Sequence, residues 1–93
     1  MLEALAAAVA GGDAGAVAAL YDAEVPWLGP DGARVGAGPA AERHLAIAAD
    51  AVAWDPPQQS GAKAVLRWRA ADGRRGSLVV EVRRGVVVFA AET

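Results

Sequence analysis

The chain contains no cysteine. A disulfide framework, a thiolate metal site and a cysteine nucleophile are all excluded by that absence. Histidine is nearly as scarce, with a single residue at position 44. With one imidazole and no clustered carboxylates, neither a metal nor any other cofactor is expected. A basic excess is also missing: nine Lys and Arg against eleven Asp and Glu leave a net charge of −2 and a pI near 5.2, which argues against a nucleic-acid partner. No apolar run approaches the ~18 to 20 residues needed to span a bilayer, so no membrane partner is expected. Ala8-Val9-Ala10 has the small-residue pattern of a signal cleavage site. It is preceded by Glu3 and by no Lys or Arg, however, so the positive n-region is lacking. A soluble cytoplasmic protein is the expectation.

At 93 residues there is room for one domain over 1–93 and one core. Apolar residues make up 55% of the chain, but many are alanine, which buries little area per side chain. The three tryptophans, with the leucines and valines, must supply most of the core.

Leu2, Leu5 and Val9 form one apolar stripe at helical spacing. Gly11-Gly12 ends that helix and Asp13 is placed to cap a second, with Val17, Leu20 and Tyr21 on one face. Gly15 weakens the second helix by roughly 1 kcal/mol relative to alanine, and both helices need tertiary packing to persist. Val25-Pro26-Trp27-Leu28 reads as a brief extended segment and Gly29-Pro30-Asp31-Gly32 as a turn. A short edge strand over 33–36 follows. Gly38-Pro39 then opens a third helix, from about Pro39 to Ala49, with Ala41, Leu45 and Ala48 along one side.

After Asp50 the period changes to two. Val52 and Trp54 alternate until Asp55-Pro56-Pro57 stops or bends the strand, and Ser60-Gly61 marks a turn. The next strand places Leu66, Trp68 and Ala70 on one face and Val65, Arg67 and Arg69 on the other. Asp72-Gly73 is a hairpin signal. Beyond it, Leu78, Val80 and Val82 oppose Ser77, Val79, Glu81 and Arg83. Arg84-Gly85 turns the chain again and Val86 to Phe89 closes the sheet. Helices followed by an antiparallel meander make an α+β arrangement. Val65, Val79, Val87 and Phe89 give the last strands apolar residues on an outer face that a singly covered sheet would keep polar. That pattern predicts a homodimer formed through the sheet.

This order of elements resembles the nuclear transport factor 2-like superfamily, in particular its SnoaL-like members, over essentially the whole chain. The resemblance is carried by Ala10-Gly11-Gly12-Asp13 with Val17 to Tyr21, by Val25-Pro26-Trp27, and by Gly36-Ala37-Gly38-Pro39-Ala40-Ala41. The hairpin Trp68 to Val82 with Asp72-Gly73-Arg74, and the closing Gly85-Val86-Val87-Val88, complete it. It implies a cone-shaped fold with N-terminal helices packed on a curved sheet around a mostly apolar cavity. Trp27, Leu45, Trp54, Trp68, Val80 and Tyr21 are then the expected ligand-binding residues, and a small apolar molecule the expected ligand. In a domain this small the same side chains are expected to fill a core before they line a cavity.

The resemblance also implies a search for specific chemistry. Where a ketosteroid isomerase carries its general-base aspartate before a proline, this chain has Gly29. Its tyrosine is replaced by Leu5 or a neighbouring apolar residue, and its protonated acid by Val80 or Val82. The arginine flanked by two aspartates of an epoxide hydrolase is absent as well, because Arg67 and Arg69 have no aspartate beside them. Two acid–base candidates are left, Glu42 and His44. Glu42 lies near a helix position that is aliphatic and directed into the cone in related sequences, so it either serves as a base in a dry pocket or is simply solvated. His44 is the only side chain that ordinarily titrates near neutrality. It precedes Leu45 and is turned ~100° from the expected buried direction, which makes it a surface histidine. The functional expectation is a small-molecule binder or SnoaL-like enzyme, the alternative a non-catalytic homodimerising or protein-interaction module.

Overall fold

The computed structural model describes residues 1–93, Met1 to Thr93. Helix α1 (Leu2–Gly11) ends where Gly12 takes the left-handed conformation, φ 70°, and donates its N–H to the Val9 carbonyl. Asp13 starts α2 (Ala14–Ala18) by accepting the backbone N–H of Gly15 and Ala16 at 2.9 and 3.3 Å. The helix expected to continue through Tyr21 stops at five residues. Backbone groups beyond it find better partners in the sheet: Asp22 N–H donates to Val87 and Val87 N–H to Leu20. Tyr21 is thereby pulled into a parallel bridge with Val87, and tertiary pairing overrides a weak local helix.

Strands β1 (Pro26–Gly29) and β2 (Gly32–Val35) form the expected hairpin, with β2 at the sheet edge. Helix α3 spans Ala37–Asp50, two residues beyond expectation at its start. Its buried stripe is Ala40, Ala41, His44 and Ile47, rotated by about one residue from the Ala41–Leu45–Ala48 line. Then follow β3 (Ala51–Trp54), β4 (Gln58–Ser60), β5 (Lys63–Ala70), β6 (Arg75–Arg83) and β7 (Val86–Glu92). The bend at Asp55-Pro56-Pro57 does not end pairing on this edge, because β4 resumes it against β5.

The sheet order is β2-β1-β7-β6-β5-β3. Pairing is antiparallel except at one seam, where β1 runs parallel to β7 with Trp27 opposite Ala90. The pairing register shifts between Ala51 and Ala53, and between Glu81 and Val82, irregularities of the kind that bend a sheet. The second makes Val88 an extra residue and brings both Val87 and Ala90 into the core, fully buried. Val87 therefore belongs to the inner face and not to the outer face where simple alternation puts it. Trp27, Leu66, Leu78 and Val80 complete the inner face beneath Leu5, Val17 and Ile47 of the helices. Outside, Leu28, Ala91, Val79 and Val65 sit in one cross-strand row over four strands, with Leu28 46% exposed.

Candidate functional site

Between α1, α3 and the β3–β5 edge lies a cavity of about 590 Å³, with ten of its fourteen lining residues hydrophobic. From α1 it is bordered by Leu5, Ala6, Val9 and Ala10, from α3 by His44, Leu45, Ala48 and Ala49, and from the sheet side by Trp54 and Leu66. The alanines explain why a 93-residue domain has this space where a filled core was expected. Packed helices sit ~8 to 10 Å apart at closest, and methyl groups at Ala6, Ala10, Ala48 and Ala49 do not reach across what the sheet's curvature holds open. Charge is confined to Asp55, an exposed residue at the rim.

His44 is 3% exposed, the only residue of polar or charged type in the buried set. The surface location expected from Leu45 is thus overturned. The α3 stripe is set by Ala40 and Ile47, and His44 falls on that line at i+4 and i−3. Its Nδ1 lies 2.7 Å from the Tyr21 hydroxyl. The imidazole is packed between Tyr21, Trp27 and Trp54 at ring-centroid distances of 6.1, 6.2 and 5.9 Å. Burial lowers the His44 pKa to about 4, so the ring is neutral near pH 7, and burial raises that of the Tyr21 phenol. Spacing alone could have placed His44 inward had Ile47 been weighted above Leu45.

One residue earlier, Arg43 leaves α3 on a different side and meets Glu92 of β7. Its Nε and Nη2 donate to Glu92 Oε2 and Oε1, each at 2.7 Å, and the Trp27 indole N–H donates to Oε2 at 2.7 Å. The Glu92 side chain is 9% exposed. Its carboxyl is held below the usual range, first by the Arg43 hydrogen bond, against desolvation, with the Trp27 bond assisting. Engaged on both oxygens, Glu92 acts as a tie between β1, α3 and β7 and not as a free base. Nothing local in the sequence announces it, since its partners are 49 and 65 residues away.

Of the residues expected to bind ligand, Leu45 and Trp54 border the cavity. Tyr21 stands behind His44, and Trp27 and Val80 are in the core. Trp68 covers Gly76, its cross-strand partner, so closely that a methyl group there would overlap the indole. It borders a separate cleft of about 400 Å³ with Arg67, Arg69 and Arg75. Glu42 is exposed on α3 and does not reach the cavity. The whole α1 contribution was missed from sequence, because Leu5 and Val9 read equally well as plain core. No group of three or more His, Asp or Glu comes together in a form that could hold a metal.

No family model matches the chain, and no curated protein matches it. Solved structures do. An NTF2-like protein of unknown function from Cytophaga hutchinsonii superposes with a TM-score of 0.77 at 12% identity, over 99% of this chain and 84% of that one. A Sinorhizobium meliloti protein provisionally described as a polyketide cyclase gives 0.74 at 12% identity, covering 94% of this chain and 87% of the other. A de novo designed protein with a curved β-sheet gives 0.72 at 12% identity, over 97% and 84%. The fold is NTF2-like, an α+β arrangement of helices on an open, curved mixed sheet. That a designed chain shares it underlines that activity has to be argued from the site and not from the fold.

Proposed function

We propose that this domain binds a small, largely apolar molecule in the cavity between α1 and α3. The reading is carried by the cavity itself, about 590 Å³ with a mostly hydrophobic lining, which is within the usual size of small-molecule sites. His44 supplies a buried polar contact and Leu45 and Trp54 form walls. Glu42 has no part in the site. The test is titration with an uncharged apolar fluorophore, N-phenyl-1-naphthylamine, followed by its emission and by tryptophan quenching. The native protein is expected to bind saturably, and Ala48→Phe, which puts a ring into the cavity, is expected to weaken binding at least about tenfold while melting within a few degrees of the parent. Equal binding by both proteins overturns the reading.

The second reading, a homodimer formed through the sheet, is favoured by the row Leu28–Ala91–Val79–Val65 on the outer face. Four adjacent apolar side chains at one register leave that face suited to burial. Light scattering during size exclusion is expected to give twice the chain mass, and Val79→Arg to halve it. A native monomer at high concentration removes this reading and leaves the first untouched.

A further inference from the structure

We infer that Tyr21 locks His44 in the tautomer whose Nε2–H is aimed into the cavity, and that the ligand is a neutral carbonyl compound whose oxygen accepts that bond. The inference rests on the proposed binding function and narrows its ligand class.

Tyr21 is 3% exposed, and its hydroxyl meets one protein partner, His44 Nδ1 at 2.7 Å. If Nδ1 carried the proton, it would donate to the phenol oxygen and the phenol proton would be left in the core without an acceptor. With the phenol donating to Nδ1, both groups are satisfied and the proton of the neutral imidazole resides on Nε2. Nε2 itself meets no protein acceptor, yet no buried side-chain nitrogen or oxygen in the structure lacks a partner. Nε2 is therefore open to space, and the space His44 borders is the cavity.

An unpartnered donor in an apolar cavity selects for an acceptor, because a ligand without one leaves that N–H desolvated and unpaired. The charge of the lining narrows the acceptor further. Asp55 is its only charged residue, and burial lowers the His44 pKa to about 4. A carboxylate or phosphate entering the cavity would find a negative rim and no positive charge inside. A neutral ketone, enone or quinone oxygen has no such cost. The indole of Trp54 and the aliphatic side chains of the flanking leucines suit a planar body attached to that carbonyl.

Two measurements test this. Long-range proton–nitrogen correlation spectra of the unliganded protein at pH 7 are expected to show His44 protonated at Nε2 and bare at Nδ1, and Tyr21→Phe to convert it to a tautomer mixture. Binding is then compared between acetylnaphthalene and isopropenylnaphthalene, which share a shape and differ in the carbonyl. The ketone is expected to bind about tenfold tighter to the native protein, and His44→Leu to bring the ratio near one. An Nδ1-protonated ring overturns the inference whatever binds. Equal affinity for the two naphthalenes overturns it while leaving apolar binding standing, and failure of both to bind overturns the two readings together.

Discussion

Arg43 and His44 are adjacent on α3, and each is the hub of a polar cluster, yet the two clusters are built by opposite rules. Arg43 is charged, keeps a 30% exposed side chain and engages Glu92 through both carboxylate oxygens. His44 is neutral, more deeply buried, and bonded on one side only. A charge near the core must be paired and hydrogen-bonded, since its desolvation is costly. A neutral ring tolerates one open position, and that open position is what a ligand can use. The structural tie and the candidate contact are thus distinguished by formal charge more than by depth.

Acid should break the comparison most severely. His44 has a folded pKa of about 4 against an ordinary 6.5, so the unfolded chain binds the extra proton between those values. Stability is fully present above about 6.5 and is lost as pH falls toward about 4, by about 3 kcal/mol. The depressed Glu92 carboxyl adds a loss of the same sign at lower pH, below its ordinary titration range. Urea melts across this window measure the slope, and His44→Leu is expected to flatten the part between about 4 and 6.5; an unchanged slope rejects the buried neutral imidazole. Glu92→Ala comes next. It leaves Arg43 and the Trp27 indole N–H without their acceptor, for an expected loss of about 2 kcal/mol in urea unfolding with cavity binding preserved. Tyr21→Phe should cost about 1 kcal/mol, and here the stability change is smaller than the change in His44 tautomer, the reverse of the Glu92 pattern. Glu42→Ala sharpens the contrast by doing nothing: stability within about 0.5 kcal/mol and unaltered probe affinity. A weakened affinity in that variant would restore Glu42 to the site.

The fold was legible because its punctuation is local. Gly11-Gly12-Asp13 separates two helices, Asp72-Gly73 and Arg84-Gly85 turn hairpins, and the last turn holds Arg84 at φ 55° and Gly85 at φ 80°. The rotational phase of α3 was less legible. Alanines at 40, 41, 46, 48 and 49 lie around much of the helix, so an apolar stripe drawn through Leu45 and one drawn through Ile47 differ by little in hydrophobic contrast. That ambiguity is why spacing alone directs His44 to the surface. The displacement of Val87 to the inner face came from a bulge, which strict alternation cannot foresee. The Arg43–Glu92 tie joins distant residues, and the cavity is a place where side-chain volume is missing, so neither has a sequence pattern of its own.

The parallel seam between β1 and β7 has a consequence for the order of assembly. Val87 receives the chain leaving α2, Ala90 pairs with Trp27, and Glu92 holds both Trp27 and Arg43. The segment leaving α2, the first hairpin and the Arg43 side chain of α3 are fastened to a strand that emerges from the ribosome after them. The first hairpin and the segment leaving α2 therefore have no strand to join until residues 86–92 exist, and β1 reaches the rest of the sheet only through that late, long-range pairing. A chain released from the ribosome at Gly85 should stay open to protease along β1 and β2, and one ending at Glu92 should not.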